Sequence, residues 1–235
     1  MDWADDGIVL SMRRHGESAA VVHLLTREHG RHAGLVRGGN SKKKRGILQP
    51  GNEVHASWRA RLEEHLGTFT VELLDGHAAR VLTDPGRLAA MSSACSLLDL
   101  CLPEREPHPD LFASLQAMFS ILPEAEWAAA YVAWELSLLA ELGFGLDLSA
   151  CAATGIVDDL IYVSPKSGRA VSRDAGAAYR EKLLPLPQFL IGRVDVAGNA
   201  VSDGLRLTAY FLERHVLTPQ DKLLPDVRSH IARSL

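Results

Sequence analysis

The sequence predicts an α+β protein of more than one domain: a small antiparallel β-barrel over residues 1–80, then a helical domain over residues 81–235. Three observations carry this. Up to the start of the eighties, apolar residues alternate with period two in short runs broken by glycine. From Asp84-Pro85 onward they recur every three or four residues. The charge balance changes at the same place, from 12 Lys/Arg against 10 Asp/Glu in residues 1–80 to 13 against 19 in residues 81–235. A mildly basic front joined to an acidic back points to two units with different partners.

The strands come first. Gly7 to Arg13 is one, Ser18 to Thr26 a second closed by Arg27-Glu28-His29-Gly30, and Arg31 to Arg37 a third ending at Gly38-Gly39-Asn40. After a turn at Pro50-Gly51-Asn52, Val54, Ala56 and Trp58 alternate with polar residues, and Leu66 to Leu74 repeats that pattern through Phe69, Val71 and Leu73. Such short strands at close spacing are those of a small barrel. The helices follow. Leu88, Met91, Cys95, Leu98 and Leu102 mark one, ended by Pro103. Leu111, Phe112, Leu115, Met118, Phe119 and Leu122 mark the next. Pro123 is expected to open a third, with Trp127, Tyr131, Trp134 and Leu138 on one packing face and Gly143 closing it. Residues 143–173 read as an irregular loop, and Asp203 to Leu217 as a further helix.

Composition excludes several classes. With 47% hydrophobic residues and a mean hydropathy of +0.01, the chain has material for real cores and is not disordered. No run approaches the ~20 apolar residues of a membrane span. The start, Met1-Asp2-Trp3-Ala4-Asp5-Asp6, is acidic where a secretory signal is basic and then apolar. A cytoplasmic protein with no membrane partner is expected. Cys95, Cys101 and Cys151 form no paired spacing, and no disulfide framework follows.

Catalytic motifs fail in turn. Gly34-Leu-Val-Arg-Gly-Gly39 has Asn40 where a phosphate loop needs lysine. Gly143-Phe-Gly145 continues into no dinucleotide fingerprint, and no serine sits in a Gly-x-Ser-x-Gly elbow. His29 and His32 read as exposed polar residues around a turn, and Asp158-Asp159 as a solvated acidic pair. The expectation is a non-enzyme without cofactor.

The strongest local signal is basic. Arg37-Gly-Gly-Asn-Ser-Lys42-Lys43-Lys44-Arg45 reads as a flexible loop able to set several cations against phosphates, so that affinity comes from counterion release. A merely solvated surface run is the plain alternative. Arg27 and Arg31 lie upstream, and Arg59 and Arg61 would add to the same face of a barrel. Trp58 and Phe69 fall on alternating positions and belong to the core rather than to base stacking.

Taken together, the sequence resembles the RecO family of bacterial recombination mediators. The resemblance rests on Asp6-Gly-Ile-Val-Leu10, His15-Gly-Glu17, Thr26-Arg-Glu-His-Gly30, Gly34-Leu-Val-Arg-Gly38 and Leu48-Gln-Pro-Gly51. It continues through Trp134 to Asp147, Cys151-Ala-Ala-Thr-Gly155, Tyr162-Val-Ser-Pro165, Ser167 to Ser172 and Tyr210-Phe-Leu-Glu213. It implies an N-terminal OB-fold barrel and a helical C-terminal domain. It also implies binding of single- and double-stranded DNA and annealing of complementary strands. The implied partners are the acidic tail of single-strand-binding protein, RecR and, as a further candidate, RecF, in loading the RecA recombinase during repair. The family's basic loop maps onto Arg37 and Lys42 to Arg45, and Lys166, Arg169 and Arg173 are the candidates for receiving the acidic tail.

Many relatives hold a zinc with two Cys-x-x-Cys pairs in the loop that Cys151 begins. Here Thr154 takes the second position and Gly168 to Ser172 replaces the later pair, so one thiolate cannot hold a tetrahedral metal. No metal is expected in this degenerate zinc loop, with Leu160, Ile161, Tyr162 and Val163 packing it instead. Two other readings stand beside the mediator: a protein–protein scaffold that touches no DNA, and a hydrolase using Cys151. Cys151 has no cationic neighbour in sequence to lower its pKa.

Overall fold

The computed structural model describes residues 1–194 and 198–235. The strands are β1 (Asp2–His15), β2 (Ala19–Thr26), β3 (Gly30–Val36), β4 (Glu53–Arg59), β5 (Thr68–Asp75), β6 (Leu160–Val163), β7 (Ala170–Ser172) and β8 (Leu184–Pro185). The helices are α1 (Lys42–Ile47), α2 (His77–Val81), α3 (Pro85–Cys101), α4 (Pro109–Ile121), α5 (Trp127–Glu141), α6 (Arg173–Gly176), α7 (Ala200–Phe211) and α8 (Ser229–Ala232). By packing, the chain forms two compact units, residues 1–124 with 225–234, and residues 125–224 with Leu235.

In the first unit β1 to β5 form a closed barrel in the order β1-β2-β3-β5-β4. The long β1 pairs with β4 through Asp2–Ile8 and with β2 through Gly7–His15, bending at an irregularity between Val9 and Ser11. Only β3 and β5 run parallel, over Leu35–Thr68 and Val36–Phe69. The interior is filled by alternate residues of each strand, among them Val9, Val22, Leu24, Val54, Trp58 and Phe69. The five expected strands are all present, with β1 starting earlier than its apolar run. The basic segment is the first correction: it is not a flexible loop but helix α1.

Helix α3 lies against β1, with the Cys95 thiol 3.5 Å from the Val9 carbonyl. It starts where its sequence says, Asp84 accepting the Gly86 and Arg87 amides at 3.0 and 3.1 Å with Pro85 in the first turn. The C-terminal α8 also packs on α3, burying Ile231. A polar cluster pins α3 to three strands. Asp99 accepts from Ser11 at 2.8 Å, from His23 at 2.5 Å and from Arg31 at 3.2 Å. The Arg31 guanidinium also donates to the Leu102 carbonyl at 2.9 Å.

In the second unit α5 packs on α7. Fully buried Glu135 joins them, accepting from Tyr131 at 2.8 Å and Thr208 at 2.5 Å. Trp127, Tyr131 and Trp134 are buried, as their spacing predicts. Pro123 does not open α5, which begins at Trp127 after a turn. The expected helix to Leu217 is α-helical only as far as Phe211 and continues as a π-helical turn, Leu212–Leu217. Residues 143–173 are not wholly irregular, since β6 pairs with β7 and β8 in a small antiparallel sheet. Leu160 and Val163 are buried there, while Ile161 and Tyr162 are half-buried.

Burial pushes the Asp99 carboxyl up, but the hydrogen bonds from His23 and Ser11 and the charges of His23 and Arg31 together hold it below the usual range. A depressed carboxylate stabilises the fold above its unfolded pKa and loses that contribution as pH falls through the folded value. Urea denaturation should therefore show stability declining below about pH 4, with a smaller decline in Asp99→Asn. At neutral pH that variant should lose roughly 2–4 kcal/mol, because Arg31 and His23 keep their burial without the carboxylate.

Candidate nucleic-acid interface

Helix α1 is short, carries no acid in its first turn and places Lys42 and Lys43 at its N-terminal end. Lys42 and Lys43 oppose the helix dipole while Lys44 and Arg45 in the last turn favour it, and six residues do little to offset the cost of nucleation. Tertiary contacts hold it. Ser41 caps its start, accepting the Lys44 amide at 3.4 Å. At its end the buried Asn52 amide donates to the Gly46 and Ile47 carbonyls at 2.9 and 3.1 Å, and Leu48 is buried in the barrel core. The backbone positions from which the four cations project are thus fixed.

Lys44 faces a groove of about 730 Å³ across the barrel, together with Arg37 from the end of β3 and Arg59 from the end of β4. Trp3, Trp58 and Phe69 also line it, and Asp2 is its one acidic residue. Lys42 and Arg45 line a different groove beside Met12 and Gln49. Arg61 is exposed in the β4–β5 loop and lines neither groove.

The predicted cations separate by what holds them. Arg37, Lys42, Lys43, Lys44, Arg45, Arg59 and Arg61 have no carboxylate partner among the described residues. Arg27 is exposed but lies over the Phe112 ring, 5.0 Å from its centroid. Arg31 belongs elsewhere: its guanidinium is 14% exposed and committed to Asp99 and Glu104. Of the three residues expected to receive an acidic tail, Arg169 pairs with Asp147 at 3.1 Å and Arg173 with Asp159 at 3.0 Å. Lys166 is exposed and borders a small recess with Phe144, Phe211 and His215, so the three do not form one basic cluster.

Sequence reasoning missed two features here. Arg13 and Arg14 are exposed at the end of β1, and Arg14 shares the face of Met12 by strand alternation. The signal was adjacent cations at a hairpin. The histidines are also not exposed turn residues. His32 is buried, with its pKa lowered by that burial, and His29 is half-buried, stacked on Trp3 with centroids 4.1 Å apart.

In the loop begun by Cys151, no group of three or more His, Cys, Asp or Glu stands together for a metal among the described residues. The Cys151 sulfur is buried and accepts from the Ser172 amide at 3.3 Å and the Ser172 hydroxyl at 3.4 Å. Burial pushes the thiol up, but the Ser172 and Thr154 hydroxyls and the Ser172 and Ala153 amides outweigh it and bring it down to about 6. No cation is among the groups that lower it, in keeping with the absence of a cationic neighbour in sequence; hydroxyls and amides brought in by the fold do so instead.

The chain matches two family models, Recombination protein O N terminal over residues 1–77 and Recombination protein O C terminal over residues 82–224. It is similar to DNA repair protein RecO of Rhodospirillum centenum, 55% identical over 97% of this chain and 92% of the relative. Against DNA repair protein RecO of Rhodospirillum rubrum the identity is 51%, over 100% of this chain and 96% of the relative. The RecO of Bradyrhizobium sp. strain ORS 278 is 53% identical over 97% and 93%.

The Cys151 surroundings have a spectroscopic signature. Thiolate absorbance near 240 nm should rise with a midpoint near pH 6, vanish in Cys151→Ala and move to higher pH in Ser172→Ala. Cys95, which burial pushes up to about 12, does not titrate in that window.

Proposed function

Because the chain belongs to the RecO family of DNA repair proteins, we propose that it acts without catalysis as a recombination mediator. It binds single- and double-stranded DNA on its OB-fold barrel and anneals complementary strands. With RecR, and with RecF as a further candidate, it helps load RecA onto DNA coated with single-strand-binding protein. The observation that carries this reading is the run of cations without carboxylate partners on α1 and the groove beside it, Arg37, Lys42, Lys43, Lys44, Arg45 and Arg59. Unpaired cations neutralise phosphates and release counterions without first breaking a protein ion pair. Neutralising both strands lowers the repulsion between them, and annealing accelerates. With few exposed aromatics in the groove, recognition is electrostatic and indifferent to sequence.

Arg27, Arg37, Lys42 to Arg45, Arg59 and Arg61 make up the proposed DNA-contacting set. Arg31 drops out of it, since a phosphate would have to displace Asp99. The acidic tail of single-strand-binding protein is assigned to the second unit. Lys166 is its cation there, while Arg169 and Arg173 would have to exchange Asp147 and Asp159 for the tail's carboxylates.

The test is annealing of complementary oligonucleotides coated with single-strand-binding protein, at 50 and 200 mM salt. The protein should accelerate annealing at the lower salt and lose much of the effect at the higher. Changing Lys42, Lys43, Lys44 and Arg45 to alanine should weaken binding to every sequence and flatten the plot of log affinity against log salt, by at most about 3 for single strands if all four contact one strand. An unchanged plot, with annealing intact, would mean that α1 does not contact DNA. No binding by the parent protein at low salt would leave the scaffold reading.

A further inference from the structure

We propose that α1 divides two separate strand-binding grooves, one on each side, so that a single protomer holds the backbones of two nucleic-acid strands at once. The inference rests on the DNA-binding reading above and adds a second site to it.

The argument starts from the helix. At about 100° per residue, Lys42 and Arg45 lie about 60° apart, while Lys44 lies about 160° from Lys42. Three cations of one short helix therefore cannot follow one strand. The surfaces on the two sides agree with that division. The groove reached by Lys44, with Arg37 and Arg59, shares no lining residue with the groove reached by Lys42 and Arg45. The two are of nearly equal size, about 730 and 740 Å³. In the second groove Lys42 and Arg45 are the only charged residues among those lining it, with Met12, Asn40, Gln49 and Pro50 among the uncharged ones. No acidic residue lines it, whereas the first groove also holds Asp2. Arg14, on the face of Met12, extends the positive charge along β1.

Rigidity is the other half of the argument. Ser41 at one end and Asn52 at the other fix the helix backbone, so Lys44 and the pair Lys42 and Arg45 leave it from different faces. A phosphate chain in each groove leaves α1 between the strands as a spacer that partly neutralises both. Strands held this way have reduced mutual repulsion and are free to pair beyond the helix.

The experiment uses the full chain and two short non-complementary oligonucleotides carrying a donor and an acceptor dye. Binding stoichiometry is read by anisotropy and bridging by energy transfer. The parent protein should bind two strands per protomer and bridge them. The double variant Lys42→Ala/Arg45→Ala should bind one strand with nearly parental affinity and an unchanged salt slope, and lose bridging at least about tenfold. Arg37→Ala/Arg59→Ala should do the same from the other side. Where an alanine pair lowers the melting temperature, the glutamine pair Lys42→Gln/Arg45→Gln repeats the measurement. A stoichiometry of one in the parent, with both double variants weakening that single event, would overturn the two-groove arrangement and leave DNA binding intact. No binding by the parent at low salt would overturn both.

Discussion

Asn52 is the residue on which the geometry of the basic surface depends. Its side-chain amide holds the last carbonyls of α1, and its side-chain oxygen accepts the Ala78 amide at 3.1 Å. Its own carbonyl accepts the Val9 amide at 2.9 Å, at the bend of β1. One buried side chain thus ties the basic helix to the start of α2, while its backbone anchors it to the barrel. Without it, the Gly46 and Ile47 carbonyls would lose the bonds that tie the end of α1 to the barrel, each contributing about 1 kcal/mol. A helix of six residues has little reserve of its own. The alternative for Lys42 to Arg45 is therefore a loop, and with it the loss of any fixed direction for the charges.

A second constraint shapes the groove that Lys44 faces. The barrel closes over only two residue pairs between β3 and β5, and Gly34 lies where the Phe69 ring passes. A Cβ on Gly34 would stand 2.3 Å from that ring, so nothing larger than glycine permits the seam. Phe69 and Trp58 are consequently core residues that also form the floor of the groove. Their position explains why binding is assigned to the cations at the rim rather than to base stacking: 2% of each residue is exposed.

The parts of this architecture visible in sequence are those set by local period. The five barrel strands and α3, α4 and α5 follow apolar spacing, and Asp84-Pro85 marks the start of α3 at its exact turn. What escaped was set by distant partners. Helix α1 contains a glycine and four cations, and its helicity comes from Asn52 and Leu48, not from its own propensity. Arg31 looked as free as Arg37 because its partner Asp99 lies 68 residues away. Arg169 and Arg173 lost their apparent availability to Asp147 and Asp159 in the same way. A count of cations in a sequence reports charge, whereas binding depends on charge that is not already paired.

That distinction reconciles a net charge of −4 with a DNA-binding reading. Screening limits the reach of exposed charges to roughly 8–10 Å at ordinary salt, so a phosphate in either groove responds to nearby cations and hardly at all to acids elsewhere. Some of the nearby carboxylates are engaged elsewhere, since Asp99 holds Arg31 and His23 and Asp6 meets His55 at 2.7 Å, while Asp2 is the one acid that lines a groove. The lysines of α1 have no such neighbours. Placing them on a helix that its own sequence disfavours makes sense only if their direction matters more than their number. A flexible tetracationic loop would bind phosphate equally well, but it would collapse onto the first strand it met. A fixed helix keeps part of its charge turned away from that strand and available to another, which is what bringing two like-charged strands together requires.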